Sequence, residues 1–224
     1  MTFEAKYWYL HNHQLFDELS RNHLNELTYL SHFRTGRKGD VITLPQEEKR
    51  IFTIKVGILK LVELDNDGDE QLIEILRPGD LFGQFTLTPH ASNQYAVVLS
   101  DYVTFCSFLV SDFEQIMRQN PALGIRYTKL IGLRFRQLQN RYANLMFKDV
   151  RTRLRLFLKE WADKDAKPGQ PNVLTNYLSH KDISRMICSN RQTVTELFNE
   201  FRLAGMLEYD RSQIRITDPA LLNV

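Results

Sequence analysis

A change of hydrophobic period near Val110 limits what this chain can fold into. From Lys38 to about Val110, apolar residues come in short runs broken by turn formers. Val41–Leu44 stops at Pro45, Ile51–Ile54 is followed by Gly57, and Ile58–Leu64 runs into Asp65-Asn66-Asp67-Gly68-Asp69. Asn, Asp and Gly tolerate the backbone angles of a tight hairpin. Gln71–Leu76, the turn Arg77-Pro78-Gly79-Asp80, Tyr95–Leu99 and Val103–Val110 complete the series. Short strands at this spacing predict an antiparallel sandwich or barrel.

Beyond Val110 the period becomes helical. Ser111 is placed to cap a helix from Asp112, and a long helix is predicted from Pro121 to about Phe147, with no Gly or Pro after Gly132. Ile131, Leu138 and Leu145 recur every seven residues, with Phe135 and Tyr142 four residues after the first two. That seam could pack on its own domain, but the length of the helix and its many Arg residues favour an intersubunit coiled coil. Another helix is expected from Asp149-Val150-Arg151 to about Trp161, then a loop at Lys167-Pro168-Gly169-Gln170-Pro171. Ahead of the strands, residues 14–33 read as one short helix through Leu15, Leu19, Leu24, Leu27 and Leu30. The chain thus divides into a strand-rich domain (1–120), a long helix (121–147) and a C-terminal domain (148–224).

Charge separates the halves. Residues 1–121 hold 11 Lys and Arg against 17 Asp and Glu, a net of −6, whereas residues 122–224 hold 18 against 10, a net of +8. The second half is suited to a polyanion. No apolar run reaches the roughly 18 residues of a membrane helix. The first residues carry no charged-then-apolar leader pattern, so a cytoplasmic location is expected. Cys106 and Cys188 lie far apart in no metal-type spacing and read as reduced thiols.

The last fifty residues read helix, turn, helix, two short strands. Ser179 suits the N-cap of a first helix ending near Met186, with Ile183 and Ile187 inward and Ser184 small enough for close approach. Asn190 suits the cap of a second, whose core face is Val194, Leu197, Phe198 and Phe201 and whose end is Gly205. The pattern fits an ordinary helical hairpin with a polar face, but the wing, the basic balance and the upstream seam favour a helix-turn-helix, whose second helix is expected to enter the DNA major groove. Arg191, Gln192, Thr193, Thr195 and Glu196 point off the core face. Arg pairs with guanine, Gln with adenine, and Glu accepts from cytosine. Ser179, Asn190 and Thr193 are placed to reach phosphates. Leu207–Tyr209, Asp210-Arg211-Ser212 and Gln213–Ile216 form a hairpin wing.

On these residues the chain resembles the catabolite-activator/FNR (Crp/Fnr) family of bacterial transcription regulators. The segments that carry the likeness are Gly79-Asp80-Leu81-Phe82-Gly83, Phe147-Lys148-Asp149-Val150-Arg151-Thr152-Arg153-Leu154 and Ser189-Asn190-Arg191-Gln192-Thr193-Val194. The resemblance implies an α+β architecture: an N-terminal double-stranded β-helix (a β-roll of the cyclic-nucleotide-binding kind), a long dimerisation helix and a C-terminal winged helix-turn-helix. It implies a homodimer on a palindromic operator, allosteric gating by an effector, RNA polymerase as a partner, and no enzymatic activity. Effector-pocket candidates are Gly83, Gln84, Phe85, Thr86, Asn93, Gln94, Tyr95 and Leu138, with Phe85 and Tyr95 expected to fill the pocket.

Departures from the family pattern narrow the effector. Cyclic-AMP-binding members carry Gly-Glu-Leu and later Arg-Ser where this chain has Gly83-Gln84-Phe85 and Asn93-Gln94, and Thr86–Ser100 contains no cation. A buried phosphate without a countercharge costs several kcal/mol, so tight cyclic-AMP binding is not expected. The N-terminal region has no cysteine, which excludes the iron–sulfur cluster of the oxygen-sensing branch. His11, His13, His23 and His32 precede the main strands and read as solvated or packed residues rather than haem ligands. Gln192 and Glu196 stand where Glu and Arg are usual, so a distinct operator is expected. Cys188 takes the place of a turn glycine, which predicts a strained turn. Two other readings remain: a regulator without a small ligand, and a β-roll enzyme. The enzyme would need several His and a Glu converging from strands, where the strand region supplies only His90.

Overall fold

In the computed structural model, which describes residues 2–45, 48–65, 67–83, 93–165 and 172–224, the chain starts in two helices, α1 (Phe3–His11) and α2 (Arg21–Leu30). The single helix expected over 14–33 is therefore shorter: Ser20 caps α2, and Leu15 and Leu19 lie in the turns before it. No apolar stripe marks α1, because its aromatic residues surround the axis, with Trp8 exposed while Leu10 is buried.

Among the described residues eight strands follow: β1 (His32–Arg37), β2 (Val41–Thr43), β3 (Arg50–Val56), β4 (Leu59–Leu64), β5 (Glu70–Leu76), β6 (Leu81–Gly83), β7 (Gln94–Val98) and β8 (Tyr102–Leu109). They form two antiparallel four-stranded sheets, ordered β1-β8-β3-β6 and β2-β7-β4-β5. Alternation along β3 and β8 serves two cores at once. Phe52, Ile54 and Phe105 meet Leu61, Ala96 and Val98 of the other sheet. Ile51, Cys106 and Phe108 face the opposite way, against Leu10, Phe16 and Leu27 of the N-terminal segment. Phe52 stacks on Phe82 with centroids 5.0 Å apart. Among the described residues, the rings between the sheets are Phe52, Phe82 and Phe105. Tyr95, expected as a filling residue, projects from the other face of β7, because its neighbours Ala96 and Gln94 alternate with it.

Helix α3 (Val110–Gln119) starts two residues before Asp112, with Leu109 at its N-cap and no side-chain cap, so Ser111 lies inside it. Helix α4 (Pro121–Phe147) matches the expected long helix, and α5 (Val150–Asp165) runs past Trp161. A short strand β9 (Val173–Thr175) precedes α6 (His180–Met186), α7 (Arg191–Leu203), β10 (Leu207–Tyr209) and β11 (Gln213–Ile216), and a 3-10 turn follows at Pro219–Leu222. Strand β9 was not expected; it completes a sheet ordered β10-β11-β9. The chain separates into two compact units, Met1–Arg136 and Gln137–Val224, with the division inside α4. The loop expected at 167–171 lies outside the described residues.

A buried polar chain ties the N-terminal segment to β3. His13 Nδ1 accepts the Leu15 N–H (3.2 Å), so its Nε2 carries the proton and donates to Gly79 O (3.1 Å) and toward Thr53 Oγ1 (3.2 Å). Tyr9 Oη donates to Ile54 O (2.8 Å) and receives the Thr53 hydroxyl (2.9 Å). A second proton on His13 would have to displace the Leu15 N–H. Burial holds the imidazole below its ordinary value of 6.5, opposed by its bond to Gly79 and by Asp17 and Asp80. A depressed folded-state pKa means that the unfolded chain binds the proton more readily. The contribution is therefore intact above 6.5 and is lost as pH falls below it. Between about pH 7.5 and pH 5.5, urea unfolding of the first unit should lose up to about 1.4 kcal/mol per pH unit. His13→Gln should flatten that slope.

Candidate functional site

The C-terminal unit builds its site from two capped helices. Ser179 Oγ accepts the Asp182 N–H (3.1 Å), while Asp182 Oδ2 receives the Ser179 N–H (3.1 Å) and hydroxyl (2.6 Å). This reciprocal cap fixes the start of α6. Both Ser179 donors are thereby engaged, so a phosphate contact would have to displace Asp182. Ile183 and Ser184 are buried against α7 as the spacing predicted.

The turn between α6 and α7 is held from outside. Cys188 has φ +48°, and among the described residues no other non-glycine has positive φ. That conformation costs an L residue roughly 1–2 kcal/mol. Arg153 of α5 supports it, donating from Nε to Ile187 O (2.9 Å) and from Nη2 to Cys188 O (3.1 Å). Nothing in the sequence marks Arg153 for this role, because a clamp on backbone carbonyls leaves no pattern in the chain.

Asn190 Oδ1 accepts the Thr193 N–H (2.8 Å) and caps α7. Val194, Phe198 and Phe201 are buried, while Arg191, Gln192 and Glu196 are exposed. Gln192 Nε2 donates to Glu196 Oε1 (2.9 Å), so these two side chains form a pair one turn apart. Arg191 makes no side-chain hydrogen bond or ion pair with the described residues. Thr193 is half-buried. Thr195 is already committed: its hydroxyl donates to Arg191 O (2.9 Å) and receives His180 Nδ1–H (2.9 Å). It stitches α7 to α6 and is not a free base-reading group. His180 escaped the sequence reading because its partner lies 15 residues away. Beyond α7, Asp210 Oδ1 accepts Ser212 Oγ (2.7 Å), Ser212 N–H (2.6 Å) and Gln213 N–H (2.9 Å), which closes the wing and lowers the Asp210 pKa. Arg211 stands exposed at its tip.

Residues 33–120 match the cyclic nucleotide-binding domain model, and residues 152–224 match the Crp-like helix-turn-helix domain model. The chain belongs to the Crp/Fnr family. A global nitrogen regulator of a Nostoc species is 26% identical over 178 residues, 78% of this chain and 80% of that protein. A CRP-like cAMP-activated global transcriptional regulator of Mycobacterium tuberculosis is 22% identical, over 83% of this chain and 80% of the relative. The structure of FixK2 from Bradyrhizobium japonicum superposes with a TM-score of 0.74 at 18% identity, covering 86% of this chain and 96% of that one, a likeness of fold. These Crp/Fnr relatives are transcription regulators, not enzymes. No helix among the described residues is long and apolar enough to cross a membrane.

In this Crp/Fnr regulator the described sensing candidates fall in three places, one of them the exposed face of α4, where Leu138 borders neither of the two cavities that follow. Gly83 and Ile131 border a cavity of about 190 Å³ with Leu81, Phe82, Tyr127 and Arg134. Asn93, Gln94 and Tyr95 border an open groove of about 620 Å³ beside Val41, Thr43 and Lys60. Gln94 turns to Glu63 (3.5 Å) and Tyr95 to Glu70 (2.7 Å). Gln84, Phe85 and Thr86, and also His90, lie outside the described residues. Arg134, not singled out from sequence, reaches from α4 to Asp80 Oδ1 (3.3 Å) and to Leu81 O, gripping the segment that leads to Gly83. On α4, Ile131, Phe135, Leu138 and Tyr142 are exposed and Leu145 is half-buried; Leu123 is the helix's buried residue.

Proposed function

We propose that this Crp/Fnr regulator acts in the cytoplasm as a homodimer that reads a palindromic operator through α7 and recruits or blocks RNA polymerase there. The observation that carries the reading is the doubly capped helix pair that presents Arg191, Gln192 and Glu196 outward on a buried base of Val194, Phe198 and Phe201. Asn190 and Thr193 flank it for phosphate contact; Ser179 would join them only by giving up Asp182. Residues 1–120 act as the sensing domain, 121–147 as the dimerisation helix and 148–224 as the reader. The apolar residues left open on a 27-residue helix favour pairing of α4 with a second copy through Ile131, Phe135, Leu138, Tyr142 and Leu145.

Gating would run through Arg134, whose grip on Asp80 and Leu81 couples the effector segment to α4. The effector is not cyclic AMP: Thr86–Ser100 lacks a cation, and Gln94 and Tyr95 are turned to carboxylates. Calorimetry should detect no cyclic-AMP binding at micromolar concentration, and micromolar or tighter affinity would overturn this part. A regulator with no small ligand is the second reading, favoured by the rings of Phe52, Phe82 and Phe105 that occupy the space between the sheets. It predicts no thermal shift with any nucleotide or metabolite. Selection from random duplex DNA tests the whole. The expected product is an inverted repeat with half-sites about one helical turn apart, different from the usual family operator. Recovery of no enriched sequence would reject the function proposed here.

A further inference from the structure

We propose that His180 takes up a proton when DNA docks and gives its Nε2–H to a backbone phosphate, so that affinity for DNA rises as pH falls. The inference rests on the DNA-binding reading of α7 and deepens it. Thr195 has one hydroxyl proton, and it goes to Arg191 O, so the proton in the contact between His180 and Thr195 belongs to His180 Nδ1. The ring is clamped in place, with its centroid 4.9 Å from that of Phe198 on α7 and 5.8 Å from that of Tyr209 on β10. Nδ1 is therefore fixed as a donor. Nε2 is the atom left to titrate, and it has no partner among the described residues.

The charged surroundings of the free protein favour the neutral ring. From α7 the facing charge is Arg191, and burial together with that guanidinium pushes the imidazole below its ordinary value. From β10 the facing titratable group is Tyr209, whose hydroxyl is turned to Asn199 (3.2 Å) and whose ring lies under the Arg202 guanidinium (5.6 Å). On α6 itself stand Lys181 and Asp182, and Asp182 is committed to the Ser179 cap. None of these described groups offers a free carboxylate to an imidazolium. A bare Nε2 lone pair beside a phosphate is repelled, whereas a protonated one donates a charge-assisted hydrogen bond. Docked DNA also answers the charge of Arg191, the lesser of the two influences that opposed protonation, and the phosphate's own negative charge acts against the other, burial. Binding and proton uptake are then linked, and one site changes affinity by at most about tenfold per pH unit.

The test is fluorescence anisotropy with a labelled duplex of about 30 base pairs at low salt, where phosphate contacts hold without a specific sequence. Wild-type affinity should weaken several-fold between about pH 6 and pH 8. His180→Gln should bind with a much flatter profile, and His180→Arg should bind tightly at both ends. Calorimetry of the wild type in two buffers of different ionisation enthalpy counts the proton without any variant, and an uptake of up to one is expected. Saturable binding that is flat in pH, or a slope unchanged in His180→Gln, overturns the role of His180 and leaves the DNA reading standing. No saturable binding at any pH overturns the DNA reading and this inference with it.

Discussion

Replacing Gly83 with alanine should destabilise the first unit by about 2–6 kcal/mol, the sum of backbone strain and overpacking. Gly83 sits at φ +126°, where an L side chain is strained, and an added Cβ would lie 2.2 Å from Arg50 O and 3.3 Å from Ile51 Cα. Both atoms are backbone of β3, the strand paired to β6 at Ile51 and Gly83, so neither can swing aside. Relief would require β6 to part from β3, and β6 carries Phe82, which stacks on Phe52. Gly68 provides the control. It also has positive φ, +83°, but its Cβ would meet nothing within 4 Å, so Gly68→Ala should cost only about 1 kcal/mol. Urea unfolding of the two variants compares them directly. Equal losses would mean that β6 is not packed on β3 as described.

Arg191→Ala should weaken specific operator binding by about 1–3 kcal/mol, roughly 5- to 150-fold, and relax selectivity at the base pair it contacts. Arg191 is exposed at the first position of α7 and holds no described side-chain partner, so its removal leaves no protein group unsatisfied. Thermal stability should therefore stay within about 0.5 kcal/mol of wild type. That separation of binding from stability distinguishes it from Phe198→Ala. Phe198 lies on the buried face of α7, and its loss should cost about 3–5 kcal/mol of folding stability. Titration of wild type and variant against the selected operator measures the first effect. Undiminished affinity would place the docking face elsewhere on the unit.

The helix-turn-helix was legible because its signals are local. Ser179, Asn190 and Gly205 cap or end helices within a few residues of their own positions, and the buried positions Ile183, Val194, Phe198 and Phe201 follow the helical period. The strand series was legible for the same reason: each hairpin announces itself in its turn. What stayed hidden depends on distant partners or on weak periodicity. Helix α1 has aromatic residues on all sides, and β1 and β9 are too short or too polar to show alternation. Ser111 looked like a cap, but β8 hands its chain to α3 two residues earlier than Asp112. Tyr95 looked like a filling residue until the register with Thr43 and Val62 placed it on the other face. Thr195 looked free because His180 and the Arg191 carbonyl cannot be seen as its partners from spacing alone. The turn at Cys188 does carry the conformation that its lack of glycine implied. Its support from Arg153 emerged only in three dimensions.

The hydrogen bond from Gln192 to Glu196 bears on how such a reader changes over evolutionary time. A lone amide or a lone carboxylate could be exchanged one base preference at a time. Here each side chain restricts the rotamers of the other, so substituting either one redirects both, and double substitutions will not be the sum of single ones. Under the reading proposed for α7, an operator and its regulator drifting apart would have to cross a valley in which one letter has changed and the pair no longer reads. Such epistasis would keep a regulon's recognition sequence stable over long descent and would make the eventual switch, when it comes, abrupt.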